Sequence, residues 1–289
     1  MKTQLPLFVT ILLLHLTTAV HGNVYEGFDM TDQSSALLAS SDATRIGNTS
    51  SGWRSTWQVT AGRPLLVAED LEINGLNSVG GSVLLIGERK PNSIGKGVAM
   101  RQIVNSYEGD VYGSFRFRAG TLRKESSFGL LLSIPSPNPL TPRSATFAFC
   151  PKHWGSKYGM LAAGKQRVEK SAIGAPHIPN STYLVVWQLE NLPAPGKRKT
   201  IVLNMWVLGE DQATHFASND FSESALRSAE QGAAPEQVAQ YIRKEIKDSA
   251  RGLFGGMIAS CFSAGMPKVT FDEVRISDES VADAVGLNR

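Results

Sequence analysis

The sequence predicts an all-β protein, a two-sheet antiparallel sandwich with one short helical insertion at about 220–251. Three observations predict it. Helical periodicity is nearly absent before residue 220. Short β-branched, aromatic and aliphatic runs recur instead, broken by Gly, Pro, Asn and Ser, the pattern of sandwiches and barrels. The chain also closes on Val269-Thr270-Phe271-Asp272-Glu273-Val274-Arg275-Ile276-Ser277, a strand that needs earlier strands to pack against.

The elements follow in order. Residues 23–29 open the body as a first strand, and the Ser-, Asn- and Gly-rich stretch 31–51 reads as loop. Trp53 and Trp57 stand near the start of the body, and short strands are expected at 64–68, 83–87 and 97–104. Residues 111–119 alternate most clearly. Phe115 and Phe117 face one way and Ser114, Arg116 and Arg118 the other, as a half-buried strand requires. Residues 128–134 form a continuous apolar run, read as a strand buried on both faces, and four prolines at 135–142 then force a loop. Strands at 144–150 and 158–163 flank the loop-like Pro151-Lys152-His153-Trp154-Gly155-Ser156-Lys157. Residues 183–189 and 200–208 are the strongest strand pair. The Pro- and Gly-containing stretch between them points to a hairpin.

Asp220-Phe221-Ser222-Glu223 resembles a capping box that opens a short helix. A second helix is expected over 235–251. Pro235 would sit in its first turn, Val238, Tyr241, Ile242 and Ile246 on one face, and Gly252 at its end. Residues 254–262 return to strand. In the closing strand, a regular backbone puts Asp272, Val274 and Ile276 on one face and Phe271, Glu273 and Arg275 on the other. Glu273 and Arg275 would then pair, and Asp272 would need donors or a cation at the edge of the core. The alternative is a bulge at Asp272-Glu273 that returns Phe271 to the core side.

Residues 1–22 carry one early lysine, a short apolar run and then small residues, the pattern of a secretory leader. Export to the periplasm, cell surface or extracellular space is therefore expected, with one domain over 23–289. Hydrophobic residues are 42% of the chain and charged residues 19%, enough for a large core. The formal net charge of +3 comes without a basic stripe, so nucleic acid is not an expected partner. No later apolar run is long enough for a membrane span. Cys150 and Cys261 each end an apolar run. They are read either as one disulfide or as two separate buried thiols.

Several of these stretches resemble a known family. Phe271-Asp272-Glu273-Val274-Arg275-Ile276 resembles the closing strand of laminin G-like and concanavalin A-like lectin/glucanase jelly rolls of exported bacterial proteins. Tyr25-Glu26-Gly27-Phe28-Asp29, with Gly52-Trp53 and Trp57, is similar to the start of such domains. Asn204-Met205-Trp206-Val207-Leu208 before the acidic turn Glu210-Asp211 is similar to a late strand and loop. The resemblance spans roughly 24–280 and implies a jelly roll. It does not imply one activity, since the fold hosts lectins, glycosidases and adhesion modules. Loop calcium is a family feature, with Asp29 and Asp272 as candidate ligands here.

Chemistry is argued by elimination. The Glu-x-Asp-x-x-Glu strand of the fold's glucanases is absent, as is Gly-x-Ser-x-Gly. Asp272 and Glu273 are adjacent and point apart on a regular strand. His153, His177 and His215 are each isolated in loop-like contexts. Sugar binding needs exposed aromatic faces beside polar groups. The candidates are His153, Trp154 and Tyr158 on one loop, with Trp53 and Trp57 next. The expected function is a non-catalytic glycan-binding module with no required cofactor. A structural or adhesion protein with a protein partner at helix 235–251 is the second class, and an enzyme with an unrecognised site the third.

Overall fold

The computed structural model describes residues 23–28, 58–61, 65–78, 80–86, 96–102, 107–122, 127–133, 145–154, 157–162, 169–170, 177–193, 199–232, 240–246, 258–264 and 268–287. Its strands are β1 (Val24–Glu26), β2 (Gln58–Ala61), β3 (Leu65–Val67), β4 (Ser82–Ile86), β5 (Lys96–Gln102), β6 (Gly109–Ala119), β7 (Ser127–Ser133) and β8 (Ala145–Trp154). They continue as β9 (Lys157–Ala162), β10 (Glu169–Lys170), β11 (Thr182–Leu192) and β12 (Ile201–Gly209). Helices α1 (Glu210–Ser218) and α2 (Glu223–Gly232) follow, then β13 (Gln240–Ile246), β14 (Ile258–Ala264), β15 (Lys268–Ser277) and α3 (Val281–Val285).

Two antiparallel sheets make the jelly-roll sandwich that the sequence predicts. One has eight strands in the order β13-β12-β11-β6-β15-β4-β3, with β1 also on β15, and the other seven in the order β10-β9-β8-β7-β14-β5-β2. β15 is the hub of the first sheet. It pairs with β6 on one side, and on the other with β4 at Lys268–Phe271 and β1 at Val274–Ile276. Alternation fills the space between the sheets. Phe115 and Phe117 of β6 point inward with Phe271, Tyr183, Trp187 and Met205, to meet Phe128, Leu130 and Leu132 of the opposite sheet. Phe117 lies 5.0 Å from Phe128 and 5.2 Å from Tyr183 between ring centroids, distances at which aromatic pairs attract beyond their buried area.

The long apolar runs of β11 and β12 have a second cause. Their outer-face residues Leu184, Val186, Trp206 and Leu208 are also buried, beneath Ala213 of α1, Phe221 before α2, Leu226 of α2 and Val281 and Val285 of α3. A strand covered on both faces loses the alternation of a half-exposed one. Within the eight-stranded sheet, the Trp187 side chain lies across Gly113, its register partner on β6, and a Cβ there would stand 2.0 Å from Trp187 Cζ2.

Three sequence expectations are corrected here. Residues 240–246 of the expected helix 235–251 are strand β13, paired with β12 over seven positions from Ile201↔Ile246 to Val207↔Gln240. Ile242 and Ile246 fit a helical spacing, but Tyr241, Arg243 and Glu245 alternate with them at period two, and pairing with β12 decides between the patterns. The helix expected after the capping residues does form, as α2, with Ser222 Oγ accepting from Ala225 N at 3.2 Å. The acidic Glu210-Asp211 turn is the first turn of α1, where carboxylates suit the helix dipole. The loop expected at 151–157 is largely strand, because β8 runs through Trp154 and Trp154 pairs with Lys157 of β9.

The third correction is the closing strand, which is bulged. Asp272 stands opposite Arg116 and Arg275 opposite Ser114, so three steps on β15 match two on β6. Glu273 takes up the extra residue at φ 51°. Phe271 thereby joins Val274 and Ile276 in the core. The expected Glu273–Arg275 pair does form, at 2.5 Å. For the cysteines, the register favours the second of the two readings, separate thiols. Cys261 stands opposite Leu130 of β7, and Leu130 opposite Phe149, the neighbour of Cys150. A whole strand therefore separates the cysteines, about 9.6 Å at normal spacing, while a disulfide spans about 7 Å at most between Cα atoms. The leader 1–22, the stretch 31–51 and the Pro-rich loop 135–142 lie outside the described residues. Among the described residues no helix is long and apolar enough to cross a membrane.

Candidate functional site

The outer face of the eight-stranded sheet is apolar over part of β11 and β12, beneath the helices, and polar at one end of those strands. Register sets one row across four strands, Tyr112 of β6, Gln188 of β11, Asn204 of β12 and Arg243 of β13. Glu190 is two residues from Gln188 and so shares its face. Tyr241 projects from β13 beside the row and stacks on Trp206 at 5.5 Å. Helix α2 lies over the row, anchored by Leu226, which is buried against Trp206 and Phe221.

That anchoring aims Glu223 and Arg227, one turn apart, down at the sheet. Arg227 Nε donates to Glu223 Oε1 at 2.9 Å, and Nη2 donates to Glu190 Oε1 at 2.5 Å and Gln188 Oε1 at 3.1 Å. Tyr112 Oη donates to Glu223 Oε2 at 3.0 Å. Asn204 Nδ2 donates to Gln188 and Glu190, and its Oδ1 accepts from Tyr241 Oη at 3.0 Å. The result is a continuous network from Tyr112 to Tyr241.

Its electrostatics favour fixed charges. Burial alone would raise the Glu223 carboxyl, but hydrogen bonds from Arg227 and Tyr112 outweigh it and hold the group below the usual value. Burial would likewise lower Arg227, and Glu223 and Glu190 reverse this, so the guanidinium stays charged. Burial, then donation to Glu223, pushes the Tyr112 phenol well up. A phenol held protonated is a donor, not a base, and a lowered carboxyl is not a general acid near neutral pH. The arrangement supplies oriented donors and acceptors rather than a proton-transfer pair.

Beside the network a cleft of about 350 Å³ opens between the α1–α2 turn and α3. Tyr112 and Glu223 form one wall, Asp220 and Glu279 lie on its rim, and Phe221 and Val281 supply apolar surface.

A second charged cluster surrounds the bulge. Asp272 is fully buried, with Oδ2 accepting from Leu71 N at 2.9 Å and Oδ1 from Glu273 N at 2.7 Å. Burial, then a hydrogen bond with the Asp70 carboxyl and the charge of Glu273, pushes Asp272 well above the usual carboxylate range. Arg116 donates to the carbonyls of Leu71 at 2.9 Å and Asn77 at 2.7 Å. Arg275 grips Glu273 and lies 4.1 Å from the Tyr25 ring centroid. Calcium takes 6–8 oxygen ligands. Here both Asp272 oxygens accept backbone N–H groups, and the nearby carbonyls accept from guanidinium. These residues do not fit a calcium ion; Arg116 and Arg275 are the cations of the cluster. Among the described residues no group of three or more His, Cys, Asp or Glu is placed to hold a metal.

The sequence-predicted sites are dispersed. His153 and Trp154 end β8 and Tyr158 is the second residue of β9, on the seven-stranded sheet and not on the sheet that carries the polar row. Trp53, Trp57 and Asp29 lie outside the described residues. His177 stacks on Tyr183, and His215 sits on α1 rather than in a loop. The network residues escaped the sequence reading because each was absorbed into an element. A signal was present: Gln188 and Asn204 are polar interruptions in the two strongest apolar strands, and the hairpin between those strands sets them opposite one another.

No family model matches this chain, and no curated protein matches it. Solved structures similar to it include alginate lyase Aly36B, at 8% identity and TM-score 0.46, covering 91% of this chain and 99% of that one. The carbohydrate recognition domain of Emp47p is similar at 10% identity and TM-score 0.40, covering 86% and 95%. The T. cruzi calreticulin globular domain is similar at 9% identity and TM-score 0.41, covering 77% and 84%.

Proposed function

We propose that this protein is a non-catalytic glycan-binding module whose binding surface is the solvent-facing margin of the polar network beside α2. The observation that supports this is the set of side chains that reach solvent there, the exposed Arg243 with the partly exposed Tyr112, Glu190, Arg227 and Tyr241, held in place by the buried Gln188 and Asn204 behind them. Sugars are bound by planar groups that satisfy hydroxyls from fixed positions and by an aromatic face against ring C–H bonds. The carboxylate, phenol and guanidinium groups that reach solvent stand on or over strands spaced by about 4.8 Å, the scale of one sugar ring. Their mutual hydrogen bonds hold them in place before a ligand arrives, which lowers the entropy cost of binding.

Export to the periplasm, cell surface or beyond belongs to the same proposal and rests on the apolar leader 1–22. The protein-partner alternative has lost the element it relied on, because 240–246 is a strand that completes the sheet. The test is binding of the full mature chain to a glycan array and to insoluble polysaccharides, repeated with Arg243→Ala. Arg243 is exposed, so this variant should keep the wild-type melting temperature. The proposal expects binding to at least one glycan class and clear weakening in the variant. Binding to no glycan overturns it.

A further inference from the structure

The connection between β3 and β4 carries the chain's one Asn-Gly pair, Asn74-Gly75. Leu76 N donates to Ile73 O at 3.1 Å, so the pair forms the centre of a β-turn. Gly75 has φ 84°, as a type II turn requires of its third residue. Asn74 and Gly75 are exposed, while Ile73 and Leu76 on either side are buried. Among the described residues, neither Asn74 O nor Gly75 N has a hydrogen-bond partner. The peptide between them can therefore flip from the type II to the type I form with the turn bond kept. Rotation of this peptide is the motion that brings Gly75 N onto the Asn74 carboxamide.

Two other described asparagines precede a small residue, Asn77 before Ser78 and Asn180 before Ser181. Both are exposed, and both are held. Asn77 O accepts from Arg116 Nη2 at 2.7 Å and Arg275 Nη2 at 3.3 Å, and Asn77 N donates to Gly286 O at 2.7 Å. Ser181 N donates to Ile178 O at 3.4 Å, and Asn180 N to Ala119 O at 2.8 Å. In each case the peptide that would have to rotate is already bonded. A serine Cβ also crowds the attacking nitrogen, where glycine has none.

We propose that Asn74 is a modification site, converted to isoaspartate without an enzyme, and that the conversion releases α1 from the sheet. Gly75 N attacks Asn74 Cγ. The N–Cγ bond forms, the Cγ–Nδ2 bond breaks, and the departing nitrogen takes the Gly75 amide proton and leaves as ammonia. Solvent water then opens the cyclic imide. Addition at Cγ gives aspartate. Addition at the main-chain carbonyl carbon leaves the chain running through Cβ and Cγ, with a free α-carboxylate. One water is consumed and one ammonia released, and nothing is oxidised or reduced. The isoaspartyl link adds a backbone atom to a turn that has no room for it. A Cβ on Gly75 would stand 2.9 Å from Ala217 Cβ of α1, and Ile73 and Leu76 are packed in the apolar cluster with Trp206 and Ala213.

The test ages the full mature chain in mildly alkaline buffer and follows it by peptide mapping with mass spectrometry. An isoaspartate-specific carboxyl methyltransferase marks the product. Asn74 should convert first of the three, at least about tenfold faster than Asn77, which must break a hydrogen bond to a charged group. Hydrogen exchange in α1 should be faster in the aged chain than in the fresh one, and ageing should not change it in Asn74→Gln. Fresh Asn74→Asp, which adds the charge without lengthening the backbone, should exchange like fresh wild type. An Asn74 that stays intact, or is matched in rate by Asn77 or Asn180, overturns the modification site. Conversion of Asn74 with α1 exchange unaltered, or equal loosening in aged Asn74→Gln, overturns the release of α1.

Discussion

Replacing Arg227 by Met removes the one cation that joins the two carboxylates of the network and keeps most of the side chain's apolar stem. In the native protein Arg227 pairs with Glu190 at 2.5 Å and Glu223 at 2.9 Å, and the three side chains are 32%, 19% and 33% exposed. Pairs this accessible are partly screened, so each is worth about 1 kcal/mol, the upper end for surface pairs. The two together give a loss of about 2 kcal/mol at pH 7. For a domain of this size that lowers the melting temperature by about 4–8 °C. The pH dependence has a definite sign. The folded Glu223 carboxyl lies below its unfolded value, so its stabilising contribution is present above the unfolded value of about 4.3. It is lost as pH falls through the folded value. Urea denaturation of wild type and Arg227→Met from pH 7 down towards 3 should therefore show a gap that narrows with acidification. Salt should narrow it too. A gap that is constant with pH, or no gap at pH 7, would refute the reasoning.

Two further outcomes follow from the packing and the bulge. Gly113→Ala drives a methyl into Trp187, which is fully buried and has no room to swing away. The cost expected is about 1–3 kcal/mol, read by urea denaturation; a variant as stable as wild type would show that the close approach is wrong. For Asp272, the folded carboxyl is raised above its unfolded value of about 3.9, so the folded state binds the extra proton. Its contribution is complete below that value and declines as pH rises through the folded value. Asp70→Asn removes the partner carboxyl, and a stability–pH curve from 4 to 8 should be flatter for this variant than for wild type. Equal slopes would exclude a shared proton.

The sandwich was legible because period two survives wherever one face meets the core, as at Phe115 and Phe117. It failed at β13, where Ile242 and Ile246 satisfy a helix and a strand alike and only the partner strand β12 decides. The bulge was legible as an alternative and no further. Glu273 adopts a left-handed backbone without the Gly or Asn that usually marks one, and the surrounding ladder enforces it. The candidate site was least legible. Its parts come from β6, β11, β12, α2 and β13, up to 131 positions apart between Tyr112 and Arg243 (243 − 112). No local motif joins them. Trp154 and Tyr158 are conspicuous in the sequence, but topology puts them on the other sheet. The short α3 was also missed. Its Ser280 cap and the left-handed Gly286 fold the tail back over β6, where Ser114 Oγ donates to Ala284 O at 2.6 Å.

The central claim is that a glycan occupies the solvent-facing margin of the polar network beside α2. Amide hydrogen exchange, measured with and without the best array ligand, tests it most directly. The account predicts slowed exchange in β13 and α2 on binding. Protection confined to β8 and β9 of the opposite sheet, with β13 and α2 unchanged, would contradict it.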